Sequence, residues 1–250
     1  MHNRLLFLLV LCSTLLLTAC TREYNTELMN AAKGGDRLAV QNVLKRGADV
    51  NEQSNKGKTA LMFAASEGHT NVARTLIEYG AKVDIADNYG TSALIVASNS
   101  GHEEIVALLL EHNANPNVRD QSGNSPLVNA IYFGHTKTVK VLLDYEKMSR
   151  YKKLEKKDGE ELLLLASGLG HKDIIGVMID SGISANARGL KQRTALMTAA
   201  AFNKPEIVKI LLARGANLDA KDENGNTAID VANEKGNSEV AALLKNNGSK

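Results

Sequence analysis

The chain has no tryptophan, and six tyrosines and four phenylalanines are its whole aromatic complement in 250 residues. A core built on large rings is therefore excluded, and the 44% of apolar residues is mainly Ala, Leu, Val and Ile. Such residues suit thin layers of small helices that bury a face only against their neighbours. Cysteine occurs twice, at Cys12 and Cys20, and Cys12 lies in an N-terminal leader described below. No disulfide framework can form in what remains. Lys and Arg number 30 against 28 Asp and Glu, a net charge of +2. That balance supplies no overall attraction to nucleic acid. The apolar run from Leu5 to Leu17 is too short for a comfortable transmembrane span.

What the chain does have is a period. Ala31, Ala64, Ala97, Ala130, Ala166, Ala199 and Ala232 recur every thirty-three residues, with one step of thirty-six before Ala166. Other residue types keep the same phase. Four positions after the alanine stand Gly35, Gly68, Gly101, Gly134, Gly170 and Gly236, with Asn203 in one copy. Glycine or asparagine is what a left-handed helix C-cap needs. Seven positions before the alanine, Gly57, Gly90, Gly123, Gly159 and Gly225 predict tight turns with positive φ. Sixteen positions after it, Gly47, Gly80, Gly182, Gly215 and Gly248, or Asn113, predict the end of a second helix. Apolar residues at helical spacing lie between, as in Ile105, Val106, Leu108 and Leu109. Each unit is expected to run turn, short helix, turn, longer helix and extended loop.

These residues resemble the ankyrin repeat. Gly57-Lys58-Thr59-Ala60-Leu61 through Ala64-Ala65-Ser66-Glu67-Gly68-His69, then Leu76 to Asp84, follows that pattern almost position for position. The resemblance implies an all-α ankyrin-repeat solenoid of about seven helix-turn-helix repeats over residues 26–248. Two departures stand out. The proline of the usual Thr-Pro-Leu-His is kept only at Pro126, and its histidine is replaced by Met62, Ile95, Val128, Leu164, Met197 and Asp230. These swaps remove a local hydrogen bond and a helix-start signal, so individual repeats are expected to be less stable than an idealised array.

The first residues follow different rules. His2 and Arg4 precede the apolar run, which ends in Leu17-Thr18-Ala19-Cys20. A basic start, a short apolar stretch and small residues at its end make residues 1–19 a signal peptide. The tetrapeptide resembles the lipobox of bacterial lipoproteins, which implies cleavage before Cys20 and lipidation of its thiol. Residues 20–25 then form a short tether. Thr21 stands where Asp commonly retains such proteins at the inner membrane, so the resemblance implies anchoring at the periplasmic face of an outer membrane. Two or more acyl chains suffice for stable attachment.

No constellation for catalysis, metal or cofactor emerges, and the chain is expected to be non-enzymatic. His69, His102, His135 and His171 each follow the repeat glycine, where the ankyrin pattern uses histidine to tie adjacent loops. They lack the spacing of a metal motif. Gly57-Lys58-Thr59 resembles the end of a phosphate loop, but Glu52 stands where its first glycine is needed. Gly123-Asn124-Ser125 lacks the closing glycine of a nucleophile elbow.

Binding remains. In the ankyrin family, partners are commonly met on the concave side by turn tips and the ends of first helices. Those positions here include Tyr89, Tyr132, Phe133, Leu169, Leu190 and Phe202, with Arg119, Arg188, Lys191 and Arg193 at neighbouring turn tips. Exposed apolar clusters rimmed by charge mark interaction sites. The alternative is that some of these rings turn inward to fill gaps, with at least one of Tyr132 and Phe133 left outside. The long step holds a second feature, an extended loop at 146–158 carrying Lys147, Arg150, Lys152, Lys153, Lys156 and Lys157. This basic insertion fits an acidic partner, lipid headgroups or plain solvent. Two functions follow from the resemblance to bacterial ankyrin proteins. One is an anchored immunity protein, a monomer when free, that sequesters a secreted toxin such as a phospholipase. The other is a scaffold supporting a resident periplasmic enzyme in oxidative-stress defence.

Overall fold

The computed structural model describes residues 25–148 and 156–248. The signal peptide, Cys20 and most of the tether lie outside these residues, as do Arg150, Lys152 and Lys153 and the side chains of Lys147, Lys156 and Lys157.

Paired helices account for the described chain, which is an all-α ankyrin-repeat solenoid. Helix α1 (25–34) pairs with α2 (Arg37–Lys45), α3 (Ala60–Glu67) with α4 (Thr70–Glu78), and α5 (Ala93–Ser100) with α6 (Glu103–Glu111). These form a first unit that ends at Pro126. The second unit holds α7 (Pro126–Tyr132) and α8 (Thr136–Met148), α9 (Lys156–Leu169) and α10 (Lys172–Asp180), α11 (Ala195–Ala201) and α12 (Pro205–Ala213), and α13 (Ala228–Glu234) and α14 (Ser238–Gly248).

Local chemistry sets where the helices begin and end. Thr59, Ser92, Thr194 and Thr227 are extended N-cap residues whose hydroxyls accept from the N–H three positions on. The missing Pro and His of the family pattern therefore leave the caps in place. Gly68 closes α3 at φ 80, a conformation that costs an L-residue about 1–2 kcal/mol. Asn203 takes the same role at φ 52 and Asn113 closes its helix at φ 63.

One predicted turn is corrected. Gly159 lies inside α9 and marks no turn, while α14 ends at Gly248 as expected. Helix takes up part of the loop expected over 146–158, because α8 runs to Met148 and α9 begins at Lys156. The reason is legible at the cap position of this repeat, where Glu161 replaces the Ser or Thr of the others. Without that hydroxyl the helix continues backwards through Gly159.

Burial follows the repeat. In the first unit α3 packs on α5, α2 on α4 and α4 on α6; in the second α9 packs on α11 and α11 on α13, backed by α8, α10, α12 and α14. The periodic alanines Ala64, Ala97, Ala130, Ala166, Ala199 and Ala232 are all fully buried. Leu61, Leu94, Ile131, Leu163 and Leu196 complete the layers at 2% exposure or less, each contributing on the order of 1.5–3 kcal/mol. Polar ties join neighbouring repeats: Asn51 donates to Gly80 O (3.2 Å) and accepts from Lys82 N–H (2.7 Å). Asn186 repeats this with Gly215 O and Asn217 N–H at 2.9 and 2.7 Å.

Candidate functional site

A regular turn in this chain is built on one acidic side chain. Asp87 accepts from the N–H groups of Tyr89 and Thr91, Asp120 from Ser122 and Asn124, and Asp222 from Asn224 and Asn226, all at 2.9 Å. Three positions after each aspartate a glycine supplies positive φ.

The turn before α11 has neither part. Gly189 stands in the aspartate register and Gln192 in the glycine register. Lys191 and Gln192 are nonetheless left-handed, at φ 60 and φ 57, a strain of about 1 kcal/mol or more each. Contacts from outside the turn hold it. Glu161 reaches from α9 and accepts the Leu190 N–H at 2.7 Å. Arg188 donates to Gln192 O and Lys221 O at 3.2 and 2.8 Å. Gly189 leaves room for this arrangement, since a Cβ there would stand 2.8 Å from Glu161 Oε2 and 2.7 Å from Leu164 Cδ2. The carboxylate that should cap α9 thus braces the next repeat.

Beside this turn opens a cavity of about 550 Å³. Leu164, Leu165, Gly168 and Leu169 of α9 form one wall, and Thr198 and Phe202 of α11 the other. Leu190 and Arg193 of the turn stand at one end and Lys204 at the other. Leu190 is 71% and Phe202 62% exposed, so the apolar surface continues outward beyond the cavity. Neither the Arg193 guanidinium nor the Lys204 ammonium has a hydrogen-bond or ion-pair partner among the described residues.

Lys204 occupies the register of the repeat histidines. His69 donates from Nε2 to Lys33 O (3.0 Å), His102 to Ser66 O (3.1 Å) and His171 to Tyr132 O (3.3 Å). Their rings cover the glycines of the preceding repeat, which confirms the tying role expected of them. The Lys204 stem covers Gly170 in the same manner, but its charge is left at the cavity.

Of the ten predicted partner-binding residues, Leu169, Leu190, Arg193 and Phe202 meet at this cavity. Phe202 does not turn inward, and Tyr132 and Phe133 are both outside, in an edge-to-face pair with centroids 5.2 Å apart. Phe133, Leu169 and Phe202 hold one register of three successive repeats. Lys191 lies 3.6 Å from Glu223. Tyr89 and Arg119 belong to the first unit, where Tyr89 is 60% exposed and Arg119 clamps Gly123 O at 2.8 Å. Sequence reasoning missed Glu161, Gly189 and Lys204. The signal was present in the repeat alignment, as the residues that break the cap, Asp and His registers.

The family model for ankyrin repeats in three copies matches residues 28–120, 112–189 and 163–250. An E3 ubiquitin-protein ligase, hecd-1 of Caenorhabditis elegans, is 39% identical over 35% of this chain and 3% of its own length. Serine/threonine-protein kinase 12 of Arabidopsis thaliana is 37% identical over 38% of this chain and 22% of its own. The chain thus spans a small part of the length of these relatives. Among solved structures, the human ASB11 ankyrin repeat domain superposes with a TM-score of 0.72 at 26% identity, covering 87% of this chain and 96% of that one. The ankyrin repeat domain of Bcl-3 gives the same score at 22% identity, over 88% and 97%. Ankyrin repeats are typically non-catalytic modules for protein–protein interaction. With family matches running from residue 28 to residue 250, the chain belongs to the ankyrin-repeat family.

Proposed function

We propose that the chain is a lipid-anchored periplasmic immunity protein, which binds and sequesters an antibacterial effector such as a secreted phospholipase. The observation that carries the binding part is the run of Phe133, Leu169 and Phe202 in one register of three successive repeats, with Leu190 beside it. Most soluble surfaces avoid such a contiguous apolar line unless it meets a partner. Anchoring rests on the lipobox-like Leu17-Thr18-Ala19-Cys20 and on Thr21 after it. A lipid anchor on a short tether would hold the inhibitor against the bilayer, where a lipase must act.

The test is affinity purification of the tagged chain from envelope extracts, with and without exposure of the cells to a competitor's toxins, followed by mass spectrometry and activity assays. Recovery of one secreted effector that loses activity when bound supports immunity. Recovery of a resident enzyme whose activity is maintained would replace immunity with the scaffold role. Cys20→Ser is expected to abolish palmitate labelling and release the protein from the membrane fraction; unchanged partitioning would refute the anchor.

A further inference from the structure

The cavity of the second unit pairs an apolar floor with two cations that have no hydrogen-bond or ion-pair partner among the described residues. Leu164, Leu165 and Leu169 supply the floor, and Arg193 and Lys204 stand at opposite ends of the opening. Glu161 is the one carboxylate in the lining, and its Oε1 is engaged by the Leu190 N–H at 2.7 Å. Unpaired half-buried cations are unusual beside apolar surface, because each forgoes both full hydration and a counter-charge. We propose that this cavity takes an acidic segment of a protein partner, in which one bulky apolar side chain enters between α9 and α11 and flanking carboxylates meet Arg193 and Lys204.

Size and surroundings fit this occupant. A volume of about 550 Å³ lies within the range of about 300–1,000 Å³ typical of ligand sites, which admits a Leu or Phe side chain with its neighbours. Leu190 and Phe202 project at the rim, and only a ligand with a surface of its own covers both. A small anion would leave them in water. The guanidinium of Arg193 offers a carboxylate two parallel donors, and the Lys204 ammonium adds a point charge that tolerates several geometries. The turn carrying Leu190 and Arg193 is braced from α9 by Glu161, so the backbone that presents both side chains is held before binding.

The proposal rests on the reading of the chain as a protein-binding module, and the test separates the two. Random-peptide phage are selected on the purified wild-type chain and on the double variant Arg193→Glu/Lys204→Glu, with Arg193→Gln/Lys204→Gln as a milder pair and circular dichroism as the fold control. The wild type is expected to enrich peptides with Leu, Phe or Tyr beside Asp or Glu. Charge reversal is expected to weaken those peptides by about tenfold or more and to shift enrichment toward Lys- or Arg-flanked sequences. Peptides enriched without acidic residues, or acidic peptides held equally by both variants, would overturn the cavity assignment while leaving the binding module standing. Displacement of fluorescent dodecanoate by no peptide at all would assign the cavity to an acyl anion and overturn the proposal. A wild-type chain that retains neither peptide nor envelope protein would remove both readings.

Discussion

Replacing Gly68 by alanine isolates how one repeat seats the next. Gly68 is left-handed at φ 80, and a Cβ built on it would stand 2.6 Å from Cε1 and 2.8 Å from Nδ1 of His102. The backbone conformation alone costs alanine about 1–2 kcal/mol. The displaced ring also loses its Nε2–H bond to Ser66 O, 3.1 Å long, a net contribution of about 1 kcal/mol. Gly68→Ala should therefore destabilise by about 2–3 kcal/mol. His102→Ala alone loses the hydrogen bond and should cost about 1 kcal/mol. In the double variant no ring remains to be displaced, so its cost should match that of Gly68→Ala alone, giving a coupling of about 1 kcal/mol between the two sites. Urea unfolding followed by circular dichroism, with unchanged slopes across the four proteins, supplies the cycle. Fully additive costs would show that the new methyl does not unseat the ring, and a Gly68→Ala cost below about 0.5 kcal/mol would remove the left-handed requirement itself.

Three further outcomes are expected. Glu161→Ala should cost about 0.5–1.5 kcal/mol by removing the hydrogen bond to the exposed Leu190 N–H and should raise amide exchange at Leu190 selectively; unchanged exchange there would deny the brace. The double replacement Tyr132→Ala/Phe133→Ala should leave the helical spectrum intact, since both rings are more than half exposed, yet weaken partner binding by surface plasmon resonance; unchanged affinity would move the interface, with the basic insertion as the next candidate. Hydrogen bonds from the Thr227 hydroxyl and N–H hold the Asp230 carboxyl below the ordinary aspartate range. Its stabilising effect is therefore complete above the unfolded value of about 3.9 and lost as pH falls through the depressed folded one. The stability gap between wild type and Asp230→Asn should be widest near neutral pH and close in acid, and a gap independent of pH would deny the ionised capping contact.

Much of the fold was legible because each repeat states the same local rules. The alanine register gave the buried helix contact, and the glycines and asparagines after it gave the left-handed caps at Gly68, Asn113 and Asn203. Exposure of Tyr89 and Leu190 was legible from the same registers, whereas for Phe202 the sequence left an inward-facing ring equally open. What escaped depends on contacts between repeats. Gly159 carries the turn signature, yet the cap residue two positions later is Glu161, and loss of the hydroxyl decides for helix. Arg119 and Arg188 look like free surface cations in a single repeat, whereas the folded turns use both as clamps on carbonyl oxygens. Nothing within one repeat discloses that Glu161 serves a turn 29 residues away.

The irregular registers have a common destination. Loss of the cap hydroxyl at Glu161, of the turn aspartate at Gly189, of the turn glycine at Gln192 and of the tying histidine at Lys204 are four separate departures from the repeat. Glu161 and Lys204 line the same cavity directly, while Gly189 and Gln192 flank the Leu190 and Arg193 that line it with them. Each departure weakens its own repeat, and in a stacked array such a loss is shared by the neighbours that pack on it. The same registers are broken singly elsewhere, at Ser54, Asp36 and Asn237, whereas these four departures meet at one site. Their convergence on one pocket, where strain at Lys191 and Gln192 is also concentrated, is the pattern expected where binding has overridden local stability. The repeat of α11 loses its turn aspartate, its turn glycine and its tying histidine together, and it is the place to look for the partner.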